Sequence, residues 1–425
     1  MFRYRRTAFA AVAAALVTAG VAAILLTQPE NVVLTGASVR QVSLSSDLTS
    51  AEGVQVLEEP TSQAHWDPIE CQTAVARANP ATGTGLAYRN RSSFCAVNKY
   101  WVEHADSKGN VSWLDVRLTI TGKTVGQTDD MNPARRVNLT NTRKAVLKVT
   151  VDITRSTGVF ANPAASWLEI GAACEAPRPL ASSCQSTTGV QHRTLSEWRD
   201  PSSRFAEFIF SSPAHSGEAT VDGALGNARF TVRGGTTGAV AQGKKSDPIG
   251  IRFDSAGYLT SRSGAVFLYH APFLVQSYRD ASMYEVTRHI DRALNHPETT
   301  FPRPPAGQHK NIPGGSANAP LQRTIRDDGR HNDVQAACRD AERASGNNPD
   351  YTAAGMECDE FPFATTAQGP AHAGLNFSAY AVPARQNTNA GNYLNSFYNN
   401  DRVLRLPGTT LTIPIGDAFY VVITR

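Results

Sequence analysis

Six cysteines, at positions 71, 95, 174, 184, 338 and 358, constrain this chain more than any other feature. They fall into three neighbouring couples, and sequence-adjacent pairing is the simplest of the 15 connectivities that six cysteines allow. The spacing therefore predicts Cys71–Cys95, Cys174–Cys184 and Cys338–Cys358. No CxxC pair or Cys/His cluster with zinc-finger spacing is present, so disulfides are the reading rather than structural zinc. Such bonds require an oxidising compartment. The N-terminus offers the route there: Arg3, Arg5 and Arg6 precede an uncharged run of 19 residues from Ala8 to Leu26. Residues 1–28 read as a signal peptide or, because the run approaches the length of a membrane span, as an uncleaved signal anchor. Either reading places the rest outside the cytoplasm, secreted or membrane-anchored facing outside.

Composition narrows the class. Hydrophobic residues make up 41% and charged residues 18% of the chain, values of a globular protein rather than a disordered one. The low charge, with many Thr, Ser, Asn and Gly, suits an extracellular β-rich protein. A net charge of +4 makes no strong case by itself for nucleic acid or an anionic membrane.

Along the chain, residues 29–63 are polar, lack aromatics and read as a flexible tether. Residues 64–295 form a β-rich domain ending in a helix. Period-two alternation marks strands at 112–121, 145–154, 207–210, 228–233 and 249–254, with turn residues between them. Many short strands argue for an antiparallel sandwich or barrel, and a sandwich-like domain is the reading taken. All five tryptophans lie here, for inter-sheet packing or, alternatively, a face for a cell-wall or carbohydrate ligand. A helix is predicted over 281–295, with Met283, Val286, Ile290 and Leu294 on one face. Arg288, His289 and Arg292 lie off that stripe and read as solvated. Residues 296–320 contain six prolines and Gly314-Gly315, and read as a linker or an ordered wrap. Residues 321–425 then form a small α+β unit. A helix capped by Asn332, the stretch 351–366 leading into an acidic strand motif, a strand at 377–382, a turn at Asn389-Ala390-Gly391 opening a helix, and a last strand at 419–423 follow one another. The fold class is α+β overall.

The acidic strand carries Cys358-Asp359-Glu360-Phe361-Pro362-Phe363-Ala364-Thr365-Thr366. Two adjacent carboxylates in an apolar run require a cationic partner or a solvated strand end, because an unpaired buried carboxylate costs several kcal/mol. This stretch, with Ala379 to Ala384, Asn387 to Asn392, Leu394, Phe397-Tyr398 and Phe419 to Val422, resembles the NucA/NucB-type secreted deoxyribonucleases over about residues 320–425. The resemblance implies a ββα-metal-like nuclease core: a metal-dependent endonuclease that hydrolyses DNA with little sequence preference. It implies Asp359 as general base, Glu360 as the acid beside it, Asn387 as metal ligand, and Mg²⁺ or Mn²⁺ as the ion.

Successive strand residues point to opposite faces, so a regular strand cannot aim both acids at one ion. Glu360 is then either a ligand reached through a bulge or a supporting group behind the ligands. Residues 321–425 hold nine Arg, no Lys and eleven Asp or Glu, a net of −2, so no broad basic surface awaits DNA. Arg323, Arg330, His331 and Arg385 are the candidate phosphate contacts, since arginine clamps phosphate through its fork. His372 is the next candidate base. The alternatives are a non-enzymatic extracellular or cell-surface binding protein, and a DNase toxin delivered to competing cells.

Overall fold

The computed structural model describes residues 65–425, apart from 130–132, 176–183, 214–220, 238, 241–243, 269–270 and 406–416. The expected signal and tether lie outside the described residues. Among those described, no helix is long and apolar enough to cross a membrane.

A short helix, α1 (Pro68–Ala78), is capped by Asp67 and precedes β1 (Gly85–Asn90), β2 (Ser93–Ala105), β3 (Val111–Lys123) and β4 (Lys144–Ser156). After them come β5 (Ser166–Glu175), β6 (Gln185–Ser186), β7 (Gln191–Thr194), α2 (Leu195–Arg199), β8 (Phe205–Ser211) and β9 (Val221–Thr236). The series continues through β10 (Ala239–Val240), β11 (Lys244–Lys245), β12 (Ile249–Ala256) and β13 (Ser263–Phe267). These strands build two antiparallel sheets. One has the order β1-β2-β3-β4-β8-β6; the other runs β13-β12-β9-β5-β7, with β10 and β11 on β9. Alternating side chains from both sheets meet in one core containing Phe94, Leu118, Leu147, Phe208, Phe230 and Phe253. The sandwich read from the period-two pattern is thus present. Only Trp198 of the five tryptophans is fully buried, its indole donating to the Leu168 carbonyl, while Trp101 is 54% exposed.

All three predicted disulfides are formed. Cys71–Cys95 ties α1 to β2, Cys174–Cys184 closes the segment after β5, and Cys338–Cys358 joins a helix to the acidic strand.

The C-terminal part contains β14 (Phe273–Ser277), α3 (Tyr284–Asn295), β15 (Leu321–Gln322), α4 (His331–Ala344), β16 (Met356–Phe361), β17 (Ser378–Pro383), α5 (Ala384–Asn400) and β18 (Ala418–Thr424). Here the structure corrects the sequence pattern at several points and decides one alternative that it left open. First, β18 pairs in parallel with β14 and antiparallel with β15, and Val286, Ile290 and Ala293 of α3 share a core with Phe361, Val382, Leu394 and Phe419. The helix expected to close the β-rich domain therefore packs into the C-terminal core. Its apolar face is unstable in water, and β14 delivers it beside β18.

Second, the proline-rich stretch is an ordered wrap. Ile312 enters the same core, and Lys310 is buried with its ammonium donating to Thr300 and to the Pro302 carbonyl. Burial pushes that lysine down to about 8, against the pull of Glu298. Gly314 has φ 111° and accepts from the Val421 N–H; a Cβ there would lie 2.9 Å from Phe361, so only glycine fits.

Third, Asn389-Ala390-Gly391 is not a turn. It lies inside α5, which starts directly after Pro383. Ala390, Leu394, Phe397 and Tyr398 form its buried stripe, and their packing outweighs the roughly 1 kcal/mol that a mid-helix glycine costs. At α4, likewise, no side chain caps the helix; it begins at His331 with Arg330 in the cap position rather than Asn332.

A seam of buried charge joins the sandwich to this part. Arg252 of β12 pairs with Asp254 and with Asp417, which also receives Arg91 from the turn between β1 and β2. Arg402, just beyond α5, pairs with Asp254.

Candidate functional site

The strands β16 and β17 pair antiparallel, with Asp359 opposite Tyr380 and Phe361 opposite Ser378. Strand alternation sorts their side chains onto two faces. Met356 and Cys358, with Ala379 and Ala381 from β17, face α4 and the core holding Val334, Ala337 and Cys338. Phe361 and Val382 face α3 and α5. Asp359 and Glu357 share the face of Phe361, whereas Glu360 shares the face of Cys358. The two adjacent acids are therefore separated by the strand, as a regular ladder without a bulge requires.

On the first face, Asp359 is only 8% exposed. Its Oδ2 lies 2.6 Å from Nδ1 of His289 on α3, and Nε2 of that ring lies 2.8 Å from the Ser378 hydroxyl. The imidazole is buried, so satisfying both ring nitrogens is what makes its position tenable. Tyr380 stacks beside it with ring centres 5.9 Å apart. A groove next to the imidazole is lined by Glu285, Arg288, Arg292, Thr300, Phe301 and Tyr380. Two residues along the strand, Glu357 accepts from the amide of Asn387 at 3.0 Å. Gln386, next to it, accepts from the Glu285 N–H, so the first turn of α5 is fastened to the start of α3.

On the second face, loss of solvent and then the neighbouring Asp359 charge push the Glu360 carboxyl up to about 7. Arg326 opposes this rise and Asp328 adds to it. Arg326 is itself engaged by Asp328 at 2.9 Å. Glu360 does not come together with Asn387; Glu357 does. No bulge in β16 delivers Glu360 to the Asn387 face.

The expected phosphate contacts divide as sharply. Arg323 is 5% exposed, donates to the Val403 carbonyl, and is sandwiched between the rings of Tyr398 and Tyr258. It fastens the C-terminal part to the sandwich, and its fork is spent there. Arg330 pairs with Asp333, donates to the Gly374 carbonyl and covers Phe377. His331 and Arg385 are exposed. His372 pairs with Asp327 at 3.2 Å on an exposed loop, so it is not beside Asp359.

His289 is the main residue that the helical pattern hid. Helical spacing groups it with the solvated Arg288 and Arg292, and it is buried instead. The signal was available: His289 stands three residues after Val286 and directly before Ile290, inside the buried arc of α3. A polar ring inside an apolar arc implies a buried partner. Glu357 and Ser378 carry no such signal.

Residues 310–413 match the family model Deoxyribonuclease NucA/NucB. The match covers about a quarter of the chain and includes the acidic strand, β17 and α5, in agreement with the resemblance read from the sequence. Neither the sandwich nor α3 lies within it. No curated protein matches the chain.

Proposed function

We propose that this protein is an exported, metal-dependent endonuclease that hydrolyses DNA phosphodiester bonds with little sequence preference, with Asp359 as general base. The observation that carries the reading is the composition of one face of β16. Within the segment that matches a deoxyribonuclease family, Asp359 and Glu357 share a face, and Glu357 is joined to Asn387 on the helix that follows the second strand.

Phosphodiester hydrolysis needs a proton removed from water while negative charge builds on the phosphate and the leaving oxygen. Asp359 suits the first task. One of its oxygens is held by His289, and the other is left to accept a proton from water. A positioned base of this kind contributes about 10²–10⁴-fold.

The donor chemistry fits a divalent ion as well. Among the described residues there is no cluster of three or more His, Cys, Asp or Glu able to hold a metal. A site resting on the Glu357 carboxylate and the Asn387 carbonyl oxygen would leave most positions to water and substrate oxygens, which is the coordination Mg²⁺ favours and Mn²⁺ accepts. When bound, the ion would polarise the phosphate and stabilise the leaving oxygen. Glu360, on the opposite face, supports the strand rather than the ion in this reading. Arg385 at the start of α5, exposed and without an ion pair among the described residues, serves as the phosphate contact. Three disulfides and an N-terminal basic-then-apolar segment support a secreted enzyme. The sandwich, with its exposed Trp101, would carry a cell-wall or carbohydrate ligand.

The test is nicking of supercoiled plasmid by the oxidised protein, with and without EDTA, alongside Asp359→Asn. Metal-dependent nicking, reduced at least ~10²-fold by Asp359→Asn at every metal concentration, is the expected result. Absence of cleavage by the wild-type protein in either Mg²⁺ or Mn²⁺ rejects the enzymatic reading. Full recovery of Asp359→Asn at high metal makes Asp359 a ligand instead of the base.

A further inference from the structure

The acidic strand lies within the matched segment, but the residue bonded to its aspartate does not. His289 comes from α3, before residue 310, and its ring is held between Asp359 at 2.6 Å and Ser378 at 2.8 Å. We propose that His289 is a positioning residue for Asp359, so that the catalytic site is completed by a helix outside the nuclease segment. The proposal rests on the reading of Asp359 as the base.

The argument begins with hydrogen-bond capacity. A carboxylate only accepts, so the shared proton belongs to Nδ1 of His289, and Nε2 is oriented by the Ser378 hydroxyl. Two fixed contacts at opposite ends of the imidazole leave its ring no alternative rotamer. That rigidity passes to Asp359, whose Oδ2 is occupied and whose Oδ1 has no hydrogen bond among the described residues. When Oδ1 takes a proton from water, the Nδ1–H bond to Oδ2 is retained. No second proton has to move.

The apolar face of α3 explains why this contact is permanent rather than a removable cover. Val286, Ile290 and Ala293 are buried with Phe361, Val382 and Leu394, and β14 before the helix pairs with β18. Lifting α3 from Asp359 would open the core. A valine or leucine at 289 would suit that core better than a histidine, whose burial is tenable only through two polar partners.

Plasmid cleavage kinetics at saturating Mg²⁺ or Mn²⁺, with the full chain, test the proposal through His289→Ala, His289→Asn and Asp359→Asn. For His289→Ala the expected result is a fall in kcat of roughly 10–100-fold, the range typical of partners that orient a working side chain, with KM unchanged. His289→Asn should recover much of the loss, because its amide can donate from near the position of Nδ1. Proton NMR of the wild-type protein should show a downfield imidazole N–H resonance that is absent from Asp359→Asn. That signal tests the contact in the folded wild-type protein, whatever the stability of His289→Ala. Wild-type kcat in His289→Ala, or an increased rate, would overturn the positioning role while Asp359→Asn remained inactive. Wild-type activity in Asp359→Asn would instead overturn the base assignment, and the proposal with it.

Discussion

The two faces of β16 hold adjacent acids in opposite circumstances. Asp359 looks toward α3 and α5, where a histidine, a serine, a second carboxylate and an asparagine converge on one strand face. Glu360 looks toward the loop before α4, where Arg326 is shared with Asp328 and removal from water raises its carboxyl to about 7. The difference shows that an acidic pair in a motif is not a functional unit. The pleat assigns each member to its own surroundings, and chemistry is set by what the neighbouring helices bring.

Removing one face altogether should have the largest effect. A fragment of residues 310–425 lacks β14 and α3, and so loses His289 as well as the partners of Phe361, Leu394 and Phe419 in their core. It should fail to give a cooperative thermal transition even when oxidised. A fragment starting near residue 270 keeps that core and tests how far the sandwich is needed; cooperative folding and activity of the shorter fragment would restore the linker reading of residues 296–320.

Next come the residues beyond Asp359 on its own face. Asn387→Ala and Glu357→Gln should each weaken metal dependence by roughly 10–100-fold, recovered as Mg²⁺ or Mn²⁺ is raised. Glu360→Gln should show no such dependence. If Glu360→Gln, but not Glu357→Gln, shifts the metal curve, the assignment of the faces is reversed.

The disulfide anchors the opposite face. Cys338–Cys358 closes a loop with a sequence separation of 20, so removing it through Cys338→Ser with Cys358→Ser should cost about 3 kcal/mol in the chain-entropy model. Denaturant unfolding measures this directly. An unchanged midpoint would mean that α4 needs no staple against β16.

The smallest effect concerns Glu360 itself. Its folded-state pKa stands above the ordinary 4.5, so the folded protein holds that proton more tightly than the unfolded chain does. Its contribution is thus most favourable below pH 4.5, declines as pH rises from 4.5 to about 7, and is flat above. Glu360→Gln should flatten that part of the Tm-versus-pH curve and raise Tm slightly at pH 8. A curve unchanged by the substitution would place Glu360 in water.

Much of the architecture was written in local chemistry. Strand alternation fixes which side chains face a core, so Leu118, Val149, Phe208 and Phe253 could be assigned to strands without knowing their partners. Cysteine couples pair within short loops because closure of a short loop is entropically least costly, and all three did. The acidic motif likewise announced Asp359 through residues next to it in the chain.

Only the tertiary structure decided what surrounds that residue. His289 lies 70 positions before Asp359, and helix periodicity records burial but not which group a buried ring meets. Arg323 had the right charge for phosphate, yet two aromatic rings more than sixty residues away on either side claimed it. The proline-rich stretch lacked any period because its order comes from contacts with β18 and the C-terminal core and from irregular hydrogen bonds such as those of Lys310, not from a repeating ladder. Residue type and spacing determine local form here. Long-range packing determines partners, and partners determine what an acid or a histidine can do.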